Sequence, residues 1–151
     1  MHRTLRLAGL VSLVFVTMLI AGCGRKATAL NGTWKVEVDK EIAYFKEQEA
    51  FKKIPAVAQS KVEAGMKTTL QEMSFTFADG KVTVKGAGGK SKDGEYMVAK
   101  MEGDKWQLET LDKDKKNENT TITWKDNDHI TLTPSEKEGP MKVDLMLVRQ
   151  K

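Results

Sequence analysis

The sequence predicts a mainly β domain with a helical insertion: an eight-stranded antiparallel up-and-down barrel in which a helix pair separates strands 1 and 2. Three observations carry that prediction. Apolar and polar residues alternate from residue 30 to 38 and again from about residue 72 to the end, and a period of two is that of a half-buried strand. Turn residues punctuate the second stretch at the short spacings of a meander. Between the two stretches the apolar period rises to three or four, as in a helix.

Ahead of the domain, His2, Arg3 and Arg6 precede an apolar run from Leu7 to Ile20, and small residues then lead to Cys23. That is the layout of a signal peptide, and the run falls short of the ~20 apolar residues that span a bilayer. The segment Leu19-Ile20-Ala21-Gly22-Cys23 resembles the lipobox of bacterial lipoprotein precursors. The resemblance implies removal of residues 1–22 and lipidation of Cys23 by diacylglycerol, with N-acylation, typically palmitate, in many species. It accounts for the lone cysteine of the chain, which has no disulfide partner. Several acyl chains hold a protein to a membrane far more firmly than one. The expected location is therefore the cell envelope. Gly24 rather than Asp after the cysteine resembles outer-membrane sorting facing the periplasm in Gram-negative cells; elsewhere the motif implies the outer leaflet of the plasma membrane.

Cleavage also changes the charge. The full chain has 25 basic and 21 acidic side chains, net +4, and loses Arg3 and Arg6 with the signal segment, so the remainder is nearly neutral. Lys and Glu alternate rather than cluster, which argues against nucleic acid as a partner.

Residues 23–29 read as a lipidated tether and 30–151 as the barrel domain. In the first strand, residues 30–38, Leu30, Gly32, Trp34, Val36 and Val38 share one face. Asp39 stands where it can cap a helix containing Ile42, Phe45 and Phe51, and Pro55 interrupts the pattern before it resumes. In the second helix Ala58, Val62, Met66, Leu70 and Met73 form a narrow stripe expected to pack on the sheet. Phe75 and Phe77 run into Asp79-Gly80, a two-residue hairpin signal, and Val82 and Val84 return. Gly86 to Gly89 is a loop. Residues 94–101 and 105–111 flank Glu102-Gly103-Asp104, and residues 119–125 and 129–133 flank Asp126-Asn127-Asp128, giving two more hairpins. Residues Asp112 to Asn119 and Pro134 to Pro140 read as polar loops, and Met141 to Arg149 as the last strand.

Parity places Trp34, Val36, Val38, Phe75, Phe77, Val82, Val84, Trp106, Leu108, Ile122, Trp124, Ile130, Leu132, Val143, Leu145 and Leu147 inside. Met97, Ala99 and Met101 give the 94–101 strand a second apolar face, and Met146 and Val148 do the same for the last. The helix pair is expected to cover that outer patch.

Gly32-Thr33-Trp34 at the start of the first strand and Arg149 near the end of the last are similar to the lipocalin and fatty-acid-binding-protein superfamily, the calycins. In that superfamily a Gly-x-Trp opens the first strand and a basic residue from the last packs on the indole, closing one end of the barrel. Trp34 and Arg149 would be that pair here, a guanidinium lying on an aromatic face. The helix pair also resembles the lid of fatty-acid-binding proteins. The chain departs from those proteins in its strand count and in reading Arg149-Gln150-Lys151 where they carry an Arg-x-Tyr carboxylate clamp. The resemblance implies a small apolar ligand in the interior, with Phe75, Phe77, Trp106, Trp124 and Leu132 as the candidate pocket. A barrel filled by its own side chains would instead imply an envelope inhibitor or assembly factor with a protein partner.

No catalytic, cofactor or metal site is expected, and so no enzyme. His129 is the one histidine after cleavage and stands beside a turn, without the convergent ligands or nucleophile–base pair that zinc or triad chemistry needs. Asp126 and Asp128 lack the following Glu of a calcium loop, and the methionines fall at packing positions rather than copper-ligand spacings.

Overall fold

The computed structural model describes residues 25–111, 118–134 and 144–151. Residues 1–24, 112–117 and 135–143 lie outside the described residues, and with them the expectations placed on a signal segment, Cys23, Met141, Val143 and most of both polar loops.

Eight strands close into an antiparallel barrel in sequence order: β1 (Gly32–Val36), β2 (Ser74–Ala78), β3 (Lys81–Lys85), β4 (Ser91–Glu102), β5 (Lys105–Leu111), β6 (Glu118–Trp124), β7 (His129–Thr133) and β8 (Leu145–Arg149). Closure comes from β1 pairing with β8, Trp34 opposite Arg149 and Val36 opposite Leu147. Among the described residues, closure pairs β1 with β8, so neither end strand of the sheet keeps a free edge. Asp79 (φ +45°) and Gly80 (φ +83°) make the β2–β3 turn, both in the left-handed region that a tight hairpin requires.

Three helices lie between β1 and β2: α1 (Val38–Glu47), α2 (Glu49–Lys52) and α3 (Ala56–Glu72). The first strand is shorter than its alternation suggests, and Val38 is the first residue of α1 rather than an inward strand residue. The reason lies in the partner strand. Glu37 N–H still donates to the Met146 carbonyl at 2.8 Å, but the chain then leaves the sheet, and Met146 N–H donates instead to the Glu41 carboxylate on α1. A side chain thus continues the ladder where the backbone has turned away.

The stripe on α3 is half-buried; the helix packs on α1, on the β3–β4 connection and, with Leu70 and Met73 against the core, on the barrel. Lys46 to Glu63, at 2.9 Å, ties α1 to α3. Glu72 accepts Gly88 N–H at 2.5 Å, holding the end of α3 to the β3–β4 connection.

The expected outer patch is not covered by the helices. Met97 and Met101 are 48% and 43% exposed, whereas Met146 and Val148 are half-buried on the α1 side. Strands β4 and β8 are four apart in a ring of eight, so one helical layer cannot cover both. A bulge between Val98 and Lys100 also shifts the alternation, leaving Met101 opposite Trp106 and on its face rather than beside Met97.

Candidate functional site

The two ends of the barrel differ. One end carries the β2–β3, β4–β5 and β6–β7 turns and the C-terminus of β8; the other carries the helices and the β3–β4 connection.

The turn end is closed by residues that meet from far apart in the chain. The segment before β1 folds into a 3-10 turn, Ala27–Leu30, and its Leu30 is fully buried. The indole Nε1–H of Trp34 donates to the Leu30 carbonyl at 2.9 Å. Over the same indole, at 4.3 Å from its centroid, lies the Arg149 guanidinium. Its Nη1 donates to the Asn31 carbonyl at 2.6 Å and its Nη2 to the Ala29 carbonyl at 2.5 Å. One planar fork therefore stacks on the ring and satisfies the carbonyls of the turn that plugs the barrel, a task for which a point-charge ammonium has the wrong shape. Gly32 makes the close approach possible: it sits at φ +129°, and a Cβ there would stand 2.9 Å from Arg149 Nη1. The glycine of Gly32-Thr33-Trp34 is thus favoured by its backbone conformation, and any side chain there would also press on the tip of the arginine that packs on its tryptophan.

Beneath this plug the tryptophans pack on one another. Trp34 and Trp124 meet edge-on at 5.7 Å and Trp106 and Trp124 at 5.0 Å, the arrangement that aromatic quadrupoles favour. Phe77 meets Tyr96 at 5.3 Å. Phe75, Phe77, Trp106 and Trp124 belong to one buried cluster, and Leu132 packs against it half-buried. Burial is uneven among the inward side chains. Near the plug Trp34, Trp106 and Ile130 are 0–1% exposed, while Val98 is half-buried and Met101, on the Trp106 face, is 43% exposed. Toward the helices Val36 and Phe75 are buried while Val84, Leu132 and Leu145 are only half-buried, at the end where Leu70 and Met73 of α3 pack on the core.

His129 and the Asp126–Asp128 turn serve structure. The Asp126 carboxylate accepts the N–H groups of Asp128 and His129 at 2.8 and 2.9 Å and pairs with His129 Nδ1 at 2.8 Å. The Asp128 backbone amide, and then the His129 ring, hold its carboxyl below the usual aspartate range. Arg149 N–H donates to the Asp128 carbonyl at 2.8 Å, so the turn also seats the closing arginine.

Comparison with protein-family models, curated proteins and solved structures yields no match. The reading of the site therefore rests on its own geometry.

Two contributors were missed in the sequence. Glu41 reads as one more acid on a charged helix, yet it is 3% exposed; its signal is the apolar Ile42 beside it at the start of a helix that must leave a strand. Arg25 reads as part of a free tether, yet it pairs with Asp104 at 2.5 Å and lies over the Trp124 ring at 4.9 Å.

Proposed function

We propose that this chain is a lipid-anchored bacterial envelope lipoprotein, non-catalytic, whose calycin-like barrel takes up a small apolar molecule at its helix-covered end. The observation that carries the reading is the uneven interior: Leu30, Trp34 and Arg149 plug one end, and at the other Val84, Leu132 and Leu145 face inward yet are only half-buried. Apolar side chains left half in water and aimed inward are what a ligand's hydrocarbon would cover. Phe75 and Leu132 form the upper wall, and Phe77, Trp106 and Trp124 the floor.

The lipid anchor is supported by the sequence around Cys23 and by where the chain enters the fold. Arg25 is fixed at the plugged end by Asp104 and Trp124, so a lipid on Cys23 turns that end toward the membrane and the helices away from it. Palmitate labelling of cells, with Cys23→Ser as the control, tests the anchor: label and membrane retention are both lost in the variant. Titration with an apolar fluorescent probe tests the pocket, with saturable one-to-one binding as the expected result.

The tight tryptophan floor favours a second reading, a filled barrel working through its outer surface as an envelope inhibitor or assembly factor. Under that reading the probe fails to saturate, and crosslinking in cells recovers the same envelope protein repeatedly.

A further inference from the structure

A cleft lies at the plugged end of the barrel. Strand β4 pairs with β3 as far as Glu95, and one more bond runs from Tyr96 N–H to the Gly80 carbonyl at 2.7 Å. Beyond that point β4 continues to Glu102 with β5 on one side. The Ala27–Leu30 turn lies along the other side, and the two leave a cleft of about 300 Å³ lined by Ala27, Asn31, Asp79, Tyr96, Val98 and Met101. That is the lower end of the ~300–1,000 Å³ range of ligand sites.

The chemistry of the walls is apolar in effect. Asn31 and Asp79 are committed to each other, Asn31 Nδ2 donating to Asp79 Oδ1 at 2.9 Å and Asp79 N–H donating to Asn31 Oδ1 at 3.3 Å. From β4 the cleft is faced by Tyr96, by the half-buried Val98 side chain and by Met101, 43% exposed, which the bulge turns to the Trp106 face; Thr28 and Gly80 complete the lining.

Position decides the occupant. Arg25 is pinned to Asp104, in the turn directly after β4, and two residues later Ala27 forms part of the cleft wall. Cys23 lies two residues before Arg25, so its Cα is within about 7 Å of the Arg25 Cα however the chain runs. We infer that the cleft holds one acyl chain of the lipid on Cys23, folded back against β4 beside the plug. This rests on the lipidation proposed above. A chain so housed leaves fewer acyl chains in the bilayer and holds the barrel close to the lipid surface, its plugged end inward.

The test uses the full-length protein in a bacterial host that processes lipoproteins. Cells are fed a diazirine-bearing fatty acid and irradiated, and the purified protein is digested for mass spectrometry. The expected product joins the acylated N-terminal peptide to a β4 peptide within Tyr96–Met101. Met101→Glu lowers its yield at least fivefold, while Met97→Glu, on the outer face of the same strand, leaves it unchanged. An acylated N-terminal peptide joined only to membrane phospholipid, or a phospholipid joined to β4 in its place, overturns the inference and leaves the lipoprotein reading standing. An N-terminal peptide without acyl mass overturns both.

Discussion

The carboxylate of Glu41 on α1 accepts the backbone N–H of Met146 on β8, the position at which β1 has stopped supplying partners. Burial raises its pKa above the ordinary glutamate value near 4.5, the charges of Asp144 and Glu37 add to the rise, and the Met146 bond offsets part of it. A carboxyl whose folded pKa is raised binds more protons folded than unfolded, so its contribution to stability falls as pH climbs from about 4.5 to the raised value. Glu41→Gln keeps an acceptor and removes the charge. Denaturant titrations should find it as stable as the wild type or more so at neutral pH, with a flatter pH profile above 4.5. Glu41→Ala orphans the Met146 N–H and should cost about 1–3 kcal/mol.

Arg149 carries the closed end by shape as well as by charge. Its replacement by Ala removes a stacked cation and two short bonds to the Ala29 and Asn31 carbonyls, a loss on the order of 2–4 kcal/mol. Lys restores less than half of it, because an ammonium cannot lie flat on Trp34 while bonding to both carbonyls. Equilibrium unfolding of the three proteins measures the ranking, and tryptophan emission should shift to the red in the Ala variant as water reaches Trp34.

Gly32→Ala places a Cβ 2.9 Å from Arg149 Nη1 at a φ of +129°, which should cost about 1–3 kcal/mol. The collision and the backbone strain are separable. In a double-mutant cycle with Arg149→Ala, the two losses should sum to more than the measured double loss, because the second change removes the atom struck by the first.

At the other end, Leu132 and Leu145 face each other across β7 and β8. Enlarging both to Phe fills space proposed for the ligand while adding apolar surface where side chains are half-buried. Affinity for an apolar probe should fall by about tenfold or more, ~1.4 kcal/mol, with little change in the thermal midpoint.

The barrel was legible because its strands obey strict alternation: the inward parity of Trp34, Phe75, Phe77, Trp106, Ile122, Trp124 and Leu147 is their burial. Alternation failed where another bond outweighed it. Val38 continues the period of β1, but the Glu41–Met146 clasp favours a helix start; Met101 continues the period of Met97, but the bulge after Val98 reverses its face. Neither is encoded by a local pattern, since each depends on a partner strand whose register the sequence does not display. The closing pair was legible only through a family resemblance, and the cleft beside it was not legible at all, because it arises from β4 outrunning β3.

Under the proposed function, an apolar molecule enters the interior from the helical end. The three tryptophans, Trp34, Trp106 and Trp124, all lie in the half nearer the plug, so they report depth. Titration with fatty acids brominated at either end of the chain reads that depth by contact quenching. Saturation at one molecule per barrel is expected, with stronger quenching when the bromine is at the end that enters first. Quenching that never saturates and does not depend on the bromine's position would contradict it.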